Sequence, residues 1–181
     1  MTVRGKLTWA FGALAALVLA VAGFSVKALG ESDLRFANFV DGINARALEV
    51  AKVRTAVDRR AIAARNIMFT TQASDIATIK AEALRADEDV QRSLSALKKM
   101  VNDSSDVSEE ARQLVAKIEQ IESRYRPVAL KIVDMASQGD YESATLSINN
   151  ECRPLLAALI SATNEYQDQT EKRAAEMLAA A

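Results

Sequence analysis

The sequence predicts an all-α protein: an N-terminal transmembrane helix followed by an antiparallel, up-down-up-down four-helix bundle. Three observations carry this. An uncharged run of 20 residues extends from Leu7 to Val26. Beyond it, apolar residues recur on alternating three- and four-residue steps, the spacing of a heptad seam. Helix breakers are scarce, with six Gly and two Pro in 181 residues that are half hydrophobic and rich in Ala and Leu, a composition that favours long helices over sheets.

The apolar run comes first. At ~1.5 Å rise per residue it reaches ~30 Å, the thickness of a bilayer's hydrocarbon core. Arg4 and Lys6 precede it, and positive charge on the near side keeps an N-terminus cytoplasmic. Trp9 stands near one interface and Lys27 closes the other end. The segments expected are a cytoplasmic 1–6, a signal anchor over 7–29, and a bundle over 30–181 outside the inner membrane. A cleaved signal peptide is the rival reading, because Ala20-Val21-Ala22 has the small-x-small pattern of a cleavage site. The length of the run, beyond the usual ~7–15 apolar residues of such a peptide, favours the anchor.

Four bundle helices follow. The first, near 31–71, carries the seam Phe36, Phe39, Ile43, Val50, Val53, Val57, Ala64 and Ile67 and fades at Thr70-Thr71-Gln72. Ser74 or Asp75 is suited to cap the second, near 74–102, whose seam runs from Ile76 through Ala83, Ala86, Val90, Leu94 and Leu97 to Val101. After the turn Asn102 to Ser105, Asp106 with Glu109 has the form of a capping box for a third helix, near 106–138. Its seam is Leu114, Ile118, Ile121, Tyr125, Val128, Ile132 and Met135. Gly139 suits a C-terminal stop. The fourth, near 140–180, is expected to break at 149–153, around Asn149-Asn150, and to restart with Pro154 in its first turn, where the missing N–H costs nothing. Four helices with short turns make an antiparallel bundle. The final residues, from Glu171, are helical in character without a terminator, as expected if a second span follows.

Composition excludes several functions. Lys+Arg is 23 against 24 Asp+Glu, a net charge of -1, so the basic excess of a nucleic-acid-binding protein is missing. No His is present, which removes the commonest general base and metal ligand. The single Cys, Cys152, allows no internal disulfide and no Cys-pair metal site. No cofactor, metal or catalytic activity is expected. The acidic run Asp87-Glu88-Asp89 reads as a solvated surface, since consecutive helical residues do not share a face.

The informative feature is charge on the seam. The first helix's register puts Arg46 and Arg60 at seam positions, and a buried charge requires a counter-charge and full hydrogen bonding. Arg54 and Arg65 lie eleven residues apart and therefore within ~20° of one another around the axis, flanking the seam. Counted from the helix tips, Arg60, Arg85, Tyr125 and Arg153 fall in one layer, with free N–H groups expected at the break near Asn150 to Pro154. Several fixed donors and few carboxylates suit a carboxylate-bearing small molecule. The alternative is that Arg60 pairs with an Asp or Glu of a neighbouring helix, with Tyr125 and Thr163 as core residues. Arg46 reads as a structural or dimer-contact residue.

Three segments carry a resemblance: Arg59 to Asn66, Tyr125 to Ala129, and Gly139-Asp140 leading to Cys152-Arg153-Pro154-Leu155-Leu156. On these the chain resembles the four-helix-bundle periplasmic sensor module of bacterial methyl-accepting chemotaxis proteins. The resemblance implies a chemoreceptor sensor domain in the inner membrane, its bundle in the periplasm, working as a homodimer. It implies an organic acid or amino acid held by first-helix arginines and the start of the last helix. Carried over, these are Arg54, Arg60 and Arg65, with Asn150 and Thr163. Binding would shift the last helix by about 1–2 Å and act on a cytoplasmic signalling region and kinase complex outside this chain. The same module also serves histidine kinases and cyclic-nucleotide enzymes. A ligand-free, membrane-anchored structural bundle is the reading from another class, and a haem or metal bundle is disfavoured by the absent His.

Overall fold

The computed structural model of the protein describes residues 3–37 and 42–179, in two units, Met1–Asp41 and Gly42–Ala181. The first unit is one helix, α1, Val3–Ala37. Its stretch Phe11–Gly30 is long and apolar enough to cross a membrane, and none of it is buried.

The second unit is the bundle. After a π-helical turn at 42–44, α2 (Ala45–Asn66) ends in a 3-10 turn, Ile67–Phe69. Next come α3 (Ala73–Asp103) and α4 (Glu109–Ser137). α5 (Tyr141–Ser147), a π-helical turn (Ile148–Cys152) and α6 (Arg153–Ala179) complete it. The expected first helix, 31–71, is thus divided between the two units, and its seam residue Phe39 lies outside the described residues.

The fourth helix also departs from expectation. No break separates α5 from α6, because the chain stays helical through Ile148–Cys152 in the wider π form. Pro154 supplies the reason. Inside a helix its ring crowds the carbonyl four residues back, at Asn150, and its missing N–H forfeits one bond. Widening the preceding turn relieves that conflict without ending the helix. The free N–H groups expected near Asn150 to Pro154 are therefore not exposed helix starts.

Caps fix the turns. Ser108, not Asp106, caps α4, its hydroxyl accepting from Ala111 N at 3.2 Å. Asp106 is drawn away by Arg46, whose Nη2 donates to it at 2.8 Å. Gln72 precedes α3 without a side-chain cap, so neither Ser74 nor Asp75 takes that role. Gly139 stops α4 as expected. At φ 85° it is left-handed, Asp140 N donates to Met135 O at 3.0 Å and Gly139 N to Ala136 O at 3.1 Å, the paired bonds of a Schellman motif. Asp140 then caps α5 through Ser143 N at 3.2 Å.

The core joins Val50, Val53 and Val57 of α2 and Ile67 of its 3-10 turn to Val90, Leu97 and Val101 of α3, Ile118, Tyr125 and Ile132 of α4, and Leu159 and Tyr166 of α6. On α4 the buried face is turned slightly from the expected seam. Ile118, Tyr125 and Ile132 are buried as expected, but Glu122 and Ala129 lie inside where Ile121 and Val128 were expected, and these two are only half-buried. That turn brings a carboxylate into the centre of the bundle.

Candidate functional site

Arg60 of α2 is fully buried, with 0% of its surface exposed. Its Nη1 donates to Asp87 Oδ1 at 2.6 Å and to Glu122 Oε1 at 2.9 Å, and its Nη2 to Glu122 Oε2 at 2.7 Å. Glu122 also accepts from Gln91 Nε2 at 3.1 Å. On its other side Asp87 accepts from Arg126, at 3.0 Å to each oxygen from Nε and 2.8 Å from Nη2. Two guanidiniums and two carboxylates make a neutral quartet spanning α2, α3 and α4. The Arg60 guanidinium carbon lies 4.9 Å from the centre of the Tyr125 ring, within cation–π range. Its Nε is, among the described residues, the one buried side-chain N or O atom without a hydrogen-bond partner.

The electrostatics follow from burial. Desolvation works against the Arg60 charge, but the hydrogen bond and charge of Glu122 outweigh it and hold the guanidinium above its ordinary range. Burial pushes up the Tyr125 phenol, helped by Cys152, and burial likewise raises the Cys152 thiol. Cys152 Sγ is 4.0 Å from the Tyr125 hydroxyl, which links the quartet to the π turn of the last helix.

This layer is not the donor-rich, carboxylate-poor one expected from sequence. Asp87 and Glu122 occupy it and take up the Arg60 charge, and Asp87, expected at a solvated surface, is 4% exposed. Arg60 and Tyr125 are enclosed by their partners instead of facing open space. Arg85, placed in the same layer by counting, is exposed.

The remaining residues lie along the α2–α6 seam. Half-buried Arg54 donates through Nη1 to Asn164 Oδ1 at 2.8 Å and Thr163 Oγ1 at 3.4 Å, and through Nε to Asp58 at 3.2 Å. Thr163 is buried, and its hydroxyl donates to Ile160 O at 2.9 Å. Arg65 is exposed, and its charge is felt at the Cys152 thiol. Eleven residues up α2 therefore match eleven back along the last helix, the run of an antiparallel pair. Arg153 and Asn150 are exposed on either side of Cys152. Among the described residues, neither Arg65 nor Arg153 has a carboxylate partner.

A second ion pair sits at the opposite end. Arg46, 4% exposed, donates to Asp106 in the α3–α4 connection, and its hydrogen bond holds the Asp106 carboxyl below its usual range. A small cavity of about 20 Å³ beside the pair is lined by Tyr166, Gln169 and Arg173 of α6, among others. A Cβ at Gly42 would come within 3.3 Å of Asp106 Oδ2, so glycine admits the close approach.

These features define a class: an all-α protein with, among the described residues, one apolar helix long enough to span a membrane, and an antiparallel bundle closed around an ion quartet of which Arg60, Asp87 and Glu122 are buried and Arg126 reaches the surface. The chain belongs to the family of four-helix-bundle sensory modules for signal transduction, whose family model matches residues 1–180. No curated protein and no solved structure matches it.

Proposed function

We propose that this sensory module is the ligand-binding part of a bacterial chemoreceptor, held in the inner membrane by α1 with its bundle in the periplasm, and that it binds a small organic acid. The observation that carries the reading is the pair Arg65 and Arg153. They flank the π turn from α2 and α6, are exposed, and, like Arg85, Arg112, Arg124 and Arg173 elsewhere on the bundle, have no carboxylate partner among the described residues, whereas Arg46, Arg54, Arg59, Arg60, Arg92 and Arg126 are each paired internally. Two unpaired guanidiniums suit a dicarboxylate. Asn150, exposed within the turn, and Thr163 with Arg54, further along the seam, supply the polar surroundings. Arg60 and Tyr125 form the buried floor behind the π turn and set its position. The protein has no catalytic activity in this reading.

A homodimer accompanies it. Leu48, Thr55, Ile62 and Phe69 stand one heptad apart on the outer face of α2 and its 3-10 turn, with Leu48 55%, Ile62 54% and Phe69 83% exposed. An outward heptad stripe suits a second helix of the same kind, and its burial would bring a second Arg65 near the first.

The test is thermal denaturation of the full chain in detergent micelles with succinate, malate, citrate, benzoate and a panel of amino acids. A ligand at 100 times its Kd adds ~2.7 kcal/mol. Arg65→Ala and Arg153→Ala, both exposed, are expected to leave the melting temperature unchanged without ligand and to remove the increment with it. No increment from any compound, with the protein folded, would favour a ligand-free structural bundle.

A further inference from the structure

α3 and α4 do not close on one another along their whole length. A groove of about 450 Å³, lined by these two helices alone, runs between them. Buried Leu94, half-buried Leu130 and the Pro127 ring give it an apolar surface.

Its polar lining is rich in acceptors. Pro127 stands inside α4 and has no N–H, so the Ser123 carbonyl, four residues back, lacks its usual helical donor. Gln91 gives its amide N–H to Glu122 at 3.1 Å, and its Oε1 accepts from no donor among the described residues. Glu119 and Glu122, three residues apart, stand on the one face of α4 that borders the groove. Arg60 already balances Glu122, and Asp87 balances Arg126. The charge left for a ligand is therefore that of Glu119. Its partner is Lys98, with side chains 44% and 42% exposed. Exposed pairs of this kind contribute little, so Lys98 can be released to water at small cost. The Lys98 contact also shows that an ammonium fits at that end.

We propose that the α3–α4 groove is a second binding site, for a small organic ammonium ion. The ligand's ammonium replaces Lys98 on Glu119 and turns its other N–H groups to the Ser123 carbonyl and Gln91 Oε1. Three donors and no acceptor on an ammonium match that lining. The apolar body lies on Leu94, Pro127 and Leu130. The volume is near the low end of ligand sites, ~300–1,000 Å³, and suits a small molecule. An anion would meet Glu119 and Glu122, while Arg126 is already held by both oxygens of Asp87. The site lies on other helices than Arg65 and Arg153 and takes the opposite charge, so it does not rest on the organic-acid reading.

Isothermal titration of the full chain in detergent micelles with 2-phenylethylamine tests this, after subtraction of the same titration into empty micelles. The control is 2-phenylethanol, which keeps the apolar body and loses the charge. The amine is expected to bind saturably and the alcohol at least about tenfold more weakly, as is the amine to Glu119→Gln, which loses the charged acceptor. Lys98→Ala removes the competitor and is expected to tighten binding by up to about fivefold. Pro127→Ala returns an N–H to the Ser123 carbonyl and is expected to weaken binding by about fivefold. Melting temperatures confirm that each variant is folded. No saturable binding at millimolar amine, equal binding of the alcohol, a Kd unmoved by Glu119→Gln, or no tightening in Lys98→Ala would overturn the proposal. Amine binding with this pattern in a chain that responds to no organic acid would uphold the groove and refute the acid reading alone.

Discussion

Replacing Arg60 by methionine isolates the energetics of the quartet's buried members. The side chain keeps much of its length, so the core is not emptied, but the guanidinium and its bonds at 2.6, 2.7 and 2.9 Å are removed. The two carboxylates then fare differently. Asp87 keeps its two-pronged contact with Arg126, whereas Glu122, 2% exposed, keeps only Gln91 at 3.1 Å. One stranded charge is thus left, and breaking a buried pair in this way costs ~3–5 kcal/mol. For a chain of this size, at ~2–4 °C per kcal/mol, the melting temperature of Arg60→Met should fall by roughly 6–20 °C. If the loss belongs to the stranded carboxylate, neutralising it should recover most of it, so Arg60→Met/Glu122→Gln should melt well above Arg60→Met alone. The assay is thermal denaturation followed by circular dichroism in detergent micelles, completed as a double-mutant cycle with Glu122→Gln. A fall below ~1 kcal/mol for Arg60→Met, or a double variant no more stable than the single, would refute the reasoning.

Other expectations are smaller. Gly139→Ala forces a Cβ into the left-handed region at φ 85° and should cost ~1–2 kcal/mol, read as a lower melting temperature. Ser108→Ala removes the acceptor for Ala111 N and should cost ~1 kcal/mol, whereas Asp106→Asn should leave the start of α4 intact and weaken only the Arg46 contact. The pH profile should be flat from about 5 to 8, because no His is present. Asp106 is held low by Arg46, so its contribution is present above the ordinary carboxyl range and is lost only as pH falls through the lowered value. Tyr125 and Cys152 are raised by burial, so their contributions are present below their ordinary pKa values, ~10 and ~8.5, and are lost as pH rises beyond them. A melting temperature that changes steeply between pH 5 and 8 would contradict this.

The helices were legible because their causes are local. Val50, Val53 and Val57 on α2 with Ile67 in its 3-10 turn, and Val90, Leu94 and Leu97 on α3, follow the heptad step and are buried as that step requires. Gly139 was legible because few other residues tolerate its backbone. The interior of the site was not, because the pairing of Arg60 is a long-range property. Asp87 is as compatible with the α3 step from Ala83 to Val90 as Ala86 is, and Glu122 as compatible with the α4 step from Ile118 to Tyr125 as Ile121 is. Assigning each seam to its apolar member hid both carboxylates, although a buried arginine demands such partners. The π turn was missed because Asn149-Asn150 and Pro154 read equally as a break or as a widened turn, and only packing of Cys152 on Tyr125 decides.

The quartet also answers a question that the repeating helices raise. Heptad helices are nearly self-similar, and sliding α2 along its neighbours by one repeat, ~10 Å, would exchange one aliphatic layer for another at little loss. Such a slip would set Val53 or Ile67 against Asp87 and Glu122 and leave two anions shut away from water. One polar layer among many oily ones therefore works as an alignment key: it adds little adhesion of its own, yet makes every misaligned assembly expensive. The frame of α2, α3 and α4 on which α6 packs is aligned by that key, and the Arg46–Asp106 pair fixes the same register at the other end of α2.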